Sequence, residues 1–380
     1  MKPGRLAAIV AGMDFTTDTF QEGYRALLAA AAGGAADLGE VVMTAARVQD
    51  GDPDSWLREW TAAGGTAWGA ANRRPSARRF LHAATYYAAP LALIAETDGS
   101  VSEAALWRRQ RTCWERAVEL LGGERLALPY EGRSLPGYFF KTRAGRRPLV
   151  VIDHGGREAT SQTWAYAGAA AQARGWNWMT FDGPGRQAAL LEHGLVLRPD
   201  WEAVLTPVAD AMLARADVDP ARIAVIGMEH AGFGVVRALA FEHRFAAAVA
   251  DPGVLDVSTL WTDGLPTEAH AALLAGDRDA FDREIRIAGL FDPHANAVLR
   301  QRGRWYGLDG RTPFDLYMRV REFRLGVGLD RITTPILIRN NPHERRWPGQ
   351  ARALYERLPR TRHTLSTADA FAWLERTLTT

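Results

Sequence analysis

From the first residue to about position 122 the apolar positions recur at helical spacing. "FQEGYRALLAAAAGGAADLGEVVMTAARV" is alanine-rich and broken near Gly33-Gly34. "DPDSWLREWTAAGGTAWGAANR" opens on an Asp/Ser cap signal and sets Trp56 and Trp60 on one helix face. "SARRFLHAATYYAAPLALIAE" lines up Phe80, Ala84 and Tyr87, and "VSEAALWRRQRTCWERAVELL" reads as an amphipathic helix. At Gly122-Gly123 the period changes. "ERLALPYEGRSLPGYFFKTRAG" alternates around a turn and predicts two strands. Apolar runs then end in glycine or Asp/Asn turns: "RPLVVIDHGG", "WNWMTFDGPG", "RIAVIG", "FAAAVADPGV" and "TPILIRNN", with "RTRHTLST" as a last strand. Helical stretches lie between them. That alternation predicts an α/β fold with a doubly wound, mostly parallel sheet. The organisation expected is a helical region over 1–122 and a core over 123–380. A helical insertion interrupts the core at about 253–329. No internal repeat or low-complexity tail is present.

Composition narrows the partners. The chain has 380 residues, 47% of them hydrophobic, and a net charge of +2. Nucleic acid and anionic membranes, which recruit by bulk charge, are not indicated. "LAAIVAGM" is too short for a signal peptide or a membrane span. The one cysteine, Cys113, allows no intrachain disulfide. A cytoplasmic protein is expected. Lys2 and Lys141 are the only lysines, which points to a GC-rich bacterial genome. Thirteen tryptophans read as core packing or as an aromatic-lined pocket.

The stretch "IAVIGMEHAGFGVV" predicts a strand turning sharply into a helix. Such turns carry G-x-S-x-G in many hydrolases, with the serine as nucleophile. Here the middle position is Glu229, and Ala231 replaces the second glycine.

Together with "GDPDSWLREW", "PYEGRSLPGYFF", "IDHGG", "FDGPGRQAAL", "RPDWEAVLTPV", "AAAVADPGV" and "RWPGQARALYERLP", this turn resembles an α/β-hydrolase group with an N-terminal helical cap. The group includes FrsA-like proteins, 2,6-dihydroxypseudooxynicotine hydrolase and fungal pigment hydrolases. The resemblance implies an α/β-hydrolase fold and three catalytic parts: an elbow nucleophile, an acid after the strand before last, and a histidine after the last strand. The chain departs at the first and third. Glu229 stands at the elbow, and "HTLSTADAFAWL" runs from strand to helix with His363 at the strand's start. Glu344 in "NNPHERRWPGQ" is the match to the acid. "HGG" matches the oxyanion loop, so backbone N–H groups at Gly155, Gly156 and His230 are candidates for holding an oxyanion.

Three readings follow. In the first, Glu229, with its pKa raised in an apolar pocket, moves protons in a non-hydrolytic reaction. That reaction would be cyclisation or C–C bond formation on a large aromatic or polyketide-derived molecule, in bacterial natural-product biosynthesis. In the second, Glu229 is a nucleophile or base in a rebuilt hydrolase acting on an epoxide or C–C bond, with His343 or His230 as the substitute histidine. The third is a non-catalytic ligand binder. The catalytic candidates are thus Glu229, His230, Glu344 and His343. The substrate-binding candidates are Arg157, Trp164, Trp261, Trp305, Tyr306 and Tyr87. No metal site and no cofactor are expected: histidine spacing fits no ligand pair, and the glycine-rich turns lack a P-loop lysine. Relatives with such caps often pair, so a homodimer is one expectation. Asp153, His154, Asp182 and Arg186, and the group Arg198, Asp200 and Trp201, read as structural.

Overall fold

The computed structural model of the chain describes residues 14–155, 159–291, 295–308, 310–326, 328–359 and 363–379. Two compact units divide it: Met1–Glu124 with Arg157–Ala169, and Arg125–Gly156 with Ala170–Thr380. The helical unit thus takes in a short piece, 157–169, that the sequence pattern leaves inside the core.

The helical unit is built from α1 (Asp18–Ala32), α2 (Leu38–Ala45), α3 (Pro53–Arg73), α4 (Ala77–Leu91) and α5 (Glu103–Leu120). Asp52 caps α3 by accepting from Asp54 N and Ser55 N, and Pro53 occupies the first turn. Trp56 and Trp60, one turn apart, sit 5.6 Å ring to ring, and Tyr86 lies 5.9 Å beyond Trp60. Gly64 lets the Tyr87 ring approach: a Cβ there would fall 2.8 Å from it. The 157–169 piece joins this unit through Gln110, whose buried Nε2 donates to Ser161 Oγ at 2.7 Å. Trp164–Gly168 forms one π-helical turn, with Ala165 against Gly33.

The second unit carries an eight-stranded sheet in the order β1-β2-β4-β3-β5-β6-β7-β8. Its strands are β1 (Gly123–Tyr130), β2 (Arg133–Phe140), β3 (Arg147–Asp153), β4 (Asn177–Phe181), β5 (Val218–Met228), β6 (Ala247–Asp251), β7 (Ile336–Arg339) and β8 (His363–Ser366). The turn Glu131-Gly132 joins β1 to β2 with both residues at positive φ, as a two-residue hairpin requires. β2 runs antiparallel to β4, and the strands from β4 to β8 are parallel. The central strands are buried on both faces, which explains their unbroken apolar runs.

Helices α6 (Ala169–Ala173), α7 (Gln187–Leu191), α8 (Glu202–Leu213), α9 (Ala231–Leu239), α15 (Gln350–Arg357) and α16 (Ala370–Thr379) connect or follow the strands. The insertion between β6 and β7 holds α10 (Thr259–Thr262), α11 (Thr267–Ala275), α12 (Arg278–Ala288), α13 (Ala295–Trp305) and α14 (Pro313–Val320). Phe281 anchors it, 5.9 Å from Phe314 and 5.0 Å from Tyr317. His363 begins β8, and only residues 367–369 separate that strand from α16. No helix among the described residues is long and apolar enough to cross a membrane.

Candidate active site

β5 ends at Met228 and α9 starts at Ala231, so Glu229 and His230 reverse the chain alone. Glu229 adopts φ 53°, in the left-handed region. A non-glycine residue held there costs about 1–3 kcal/mol and persists only where its surroundings fix it. Two backbone bonds do so: Glu229 N donates to Asp251 O at 2.8 Å, and Gly232 N donates to Glu229 O at 2.9 Å. The flanking glycines are forced by contact. A Cβ on Gly227 would sit 2.4 Å from Ala231 O, and one on Gly232 would sit 2.0 Å from Pro252 O. Position 231 has room for its methyl group. The result is a strained strand-to-helix elbow that throws the Glu229 side chain outward at the C-terminal ends of the parallel strands. In open α/β sheets that is where ligands bind.

The Glu229 carboxylate is not set in a purely apolar pocket. Arg346 Nη1 donates to its Oε2 at 2.6 Å, with the two side chains 22% and 36% exposed respectively. Arg346 comes from the loop between β7 and α15. Glu344 fastens that loop, accepting from Arg346 N at 2.8 Å and Trp347 N at 3.2 Å. Trp347 is buried, and its Nε1 donates to Val257 O at 3.5 Å. Glu344 therefore positions the arginine and is not itself bonded to Glu229. His343 is exposed, with its backbone N on Asn341 Oδ1. On the loop that carries Glu344 and His343, Arg346 is the side chain bonded to Glu229.

His230 heads α9. Its ring nitrogens are buried and meet no hydrogen-bond partner among the described residues. Its ring lies 5.6 Å from Phe323 and 6.3 Å from Phe233. Burial, with the charge of Arg186 adding to it, pushes its pKa down to about 3. A shift in that direction weakens the ring as a proton acceptor. Its backbone N–H makes no hydrogen bond among the described residues, as an oxyanion donor should.

Beneath the elbow a second set of charged groups is sealed from water. Asp153 pairs with Arg186, both side chains wholly buried, and accepts from Trp201 Nε1 at 2.6 Å. The guanidinium lies 4.4 Å over the Trp201 ring. His154 Nε2 faces Asp182 Oδ1 at 3.4 Å, and Asp182 Oδ2 accepts from Ala188 N at 3.2 Å. Arg198 bonds Asp200, Tyr130 and Glu131 and holds the corner before α8. These groups tie Asp153 and His154, at the end of β3, to the segment after β4 and to the turn before α8.

An aromatic path leads from His230 into the insertion. Phe323 lies 5.1 Å from Tyr306, Tyr306 6.1 Å from Trp261, and Trp261 6.0 Å from Tyr317. Two expected residues, Trp261 and Tyr306, thus stand on a chain of rings that starts at the elbow. Trp305 is partly buried against the core, and its carbonyl accepts from Leu197 N at 2.7 Å. Tyr87 and Trp164 belong to the helical unit, where the Tyr87 ring packs on Gly64. Gly155 is buried directly after β3, its carbonyl 3.0 Å from His154 Nδ1. Gly156 and Arg157 lie outside the described residues. Phe323 and Arg346 stand beside the elbow residues although nothing in the local pattern of either marks it. No group of three or more His, Cys, Asp or Glu among the described residues could hold a metal.

No family model matches the chain. Relatives and solved structures do. The hydrolase LUC6 of Fusarium is 31% identical over 343 residues, 80% of this chain and 77% of the relative. The 20-hydroxy-prefusarin hydrolase FUS2 of Gibberella moniliformis is 29% identical over 355 residues, 85% and 82% of the two chains. The crystal structure of 2,6-dihydroxy-pseudo-oxynicotine hydrolase superposes with a TM-score of 0.65 at 18% identity, covering 88% of this chain and 87% of that one. The sheet order, the strained elbow and these likenesses agree: the chain belongs to the α/β-hydrolase family that contains these fungal hydrolases.

Proposed function

We propose that the chain is a cofactor-independent, non-hydrolytic acid–base enzyme of natural-product biosynthesis. Its reaction is cyclisation or C–C bond formation on a large aromatic or polyketide-derived intermediate. The observation that carries this reading is the carboxylate on the elbow. Glu229 is strained into the nucleophile's position, charge-compensated by Arg346, and adjacent to an unused backbone N–H. A carboxylate there can take a proton from carbon next to a carbonyl while the His230 N–H steadies the enolate oxygen. The enolate carbon then attacks a second carbonyl in the same molecule, and Glu229 returns the proton to the new alkoxide. The rings from Phe323 to Trp261 are buried and pack edge to face on one another behind the elbow.

Deuterium uptake from heavy water into an aryl β-diketone tests the first step. Wild-type protein should accelerate exchange at the carbon between the carbonyls. Glu229→Gln should lose about a hundredfold or more of that rate. Equal exchange by both proteins would sink the reading.

The names of the relatives favour a second reading, hydrolysis through a rebuilt site. It needs a histidine to activate water. His343 is exposed, with its backbone N on Asn341 Oδ1, and burial pushes the His230 pKa down, which makes it a weak base. Label from heavy-oxygen water in the product of an epoxide or β-diketone would establish it.

A further inference from the structure

We propose that Arg186 is a ligand-binding residue beside the elbow. The open edge of its guanidinium takes a planar group with two oxygens side by side, a carboxylate or a β-dicarbonyl. The inference concerns Arg186 and not the Glu229 pair, and it stands whether or not Glu229 moves protons.

Arg186 follows β4 in "FDGPGRQ", and its side chain is wholly buried. Its Nη1 donates to Asp153 Oδ1. Its Nε and Nη2 are buried and meet no acceptor among the described residues. Those two nitrogens share one edge of the guanidinium, and their N–H bonds on that edge run parallel. A buried charged donor without an acceptor is costly, and native interiors hold few of them. Here a whole edge is left over.

The direction of that edge is fixed. The guanidinium lies 4.4 Å over the Trp201 ring, and Trp201 Nε1 donates to the same Asp153 at 2.6 Å. Arg186, Asp153 and Trp201 hold one another, so the edge is set before a ligand arrives. Its place is at the elbow. Asp153 lies opposite Gly227 in the sheet, two residues before Glu229. The charge of Arg186 also acts on the His230 ring, whose two nitrogens are likewise buried without a partner among the described residues. Gln187, next in the chain, leaves its Oε1 buried and without a donor. Glu229 and His230 are both only half-buried, so the elbow beside these groups is open to solvent.

Geometry selects the ligand. Parallel N–H donors on one edge match two coplanar oxygens held side by side. A lone hydroxyl meets only one of the two donors and leaves the other unpaired.

Benzoate and benzoylacetone are the probes, one for each source of the oxygen pair. Each is titrated into isotope-labelled protein while the Arg186 Nε–H nuclear magnetic resonance signal is followed. That signal is assigned by its loss in Arg186→Lys, or through its own side-chain carbons where that variant does not fold. At least one probe should move it along a saturable curve. Folded Arg186→Lys keeps a charge for Asp153 but lacks the edge, and it should bind that probe at least about tenfold more weakly. Benzyl alcohol, with one oxygen, should also bind at least about tenfold more weakly. A response to benzoate alone assigns a carboxylate, and one to benzoylacetone alone assigns a dicarbonyl. A signal that neither probe moves would mean that the edge holds only ordered water, and the proposal would fall. Equal binding of benzyl alcohol, or undiminished binding by Arg186→Lys, would overturn it too. A moved signal in a protein that exchanges no deuterium into β-diketones would keep this site and remove the acid–base reading; exchange with an unmoved signal would do the reverse.

Discussion

Two carboxylate–arginine pairs stand at the ends of neighbouring strands. Asp153 closes β3 and pairs with Arg186; Glu229 follows β5 and pairs with Arg346. Asp153 lies opposite Gly227 in the sheet, two residues before Glu229. The chemistry of the two pairs is the same and their burial is not. Both side chains of the first are 0% exposed, while those of the second are 36% and 22% exposed. The buried pair is also tied to Trp201, in the loop ahead of α8. The open pair joins the elbow to the loop before α15, and both side chains are partly exposed. One pair is a fastening and the other an exchangeable contact.

Breaking the buried pair should have the largest effect. Asp153→Ala strands the Arg186 charge in the interior and frees the Trp201 N–H. A loss of about 3–5 kcal/mol in urea unfolding is expected. His230 gives the next effect, through pH. Its folded pKa is about 3 against an ordinary value of 6.5, so the unfolded chain binds the extra proton first as pH falls. The stability it contributes is complete above about pH 6.5 and is lost as pH falls towards about 3. Roughly 2 kcal/mol should be gone by about pH 5, and His230→Phe should flatten that slope in urea midpoints measured across the range. Glu229→Gly removes both the elbow strain and the open ion pair. A net gain of about 1 kcal/mol in unfolding free energy should accompany loss of deuterium exchange. The smallest change belongs to Arg346→Gln, which should cost less than about 1 kcal/mol by the same unfolding assay. A cost equal to that of Asp153→Ala would erase the distinction between the pairs.

Much of this was legible along the chain, and the illegible part has a common cause. Runs such as "LVVI" and "IAVI" announce strands buried on both faces, and Gly227 and Gly232 bracket the elbow, because these signals are local. The polar residues set aside as structural, Asp153, Arg186 and Arg198, hold loops and a corner. What escaped depends on distance in sequence. Arg346 is 117 residues from Glu229, and in "HERRW" it is one of two adjacent arginines with nothing to set it apart. Phe323 follows α14 and reaches His230 only because the insertion folds back towards the elbow. The affiliation of 157–169 was hidden for the same reason: Gln110 meets Ser161 across 51 residues.

The close contacts at the elbow also bear on how such a site changes over generations. Gly227 and Gly232 are held to glycine by backbone oxygens 2.4 Å and 2.0 Å from where a Cβ would stand. Position 229 already carries a long side chain, which reaches Arg346 on the loop before α15. Inherited variation at 227 or 232 is therefore removed as a folding defect, whatever the chemistry. At position 229 a new side chain is presented in the same direction by the same turn. The turn behaves as an interchangeable mount, and a lineage can swap the tool it carries without rebuilding the handle.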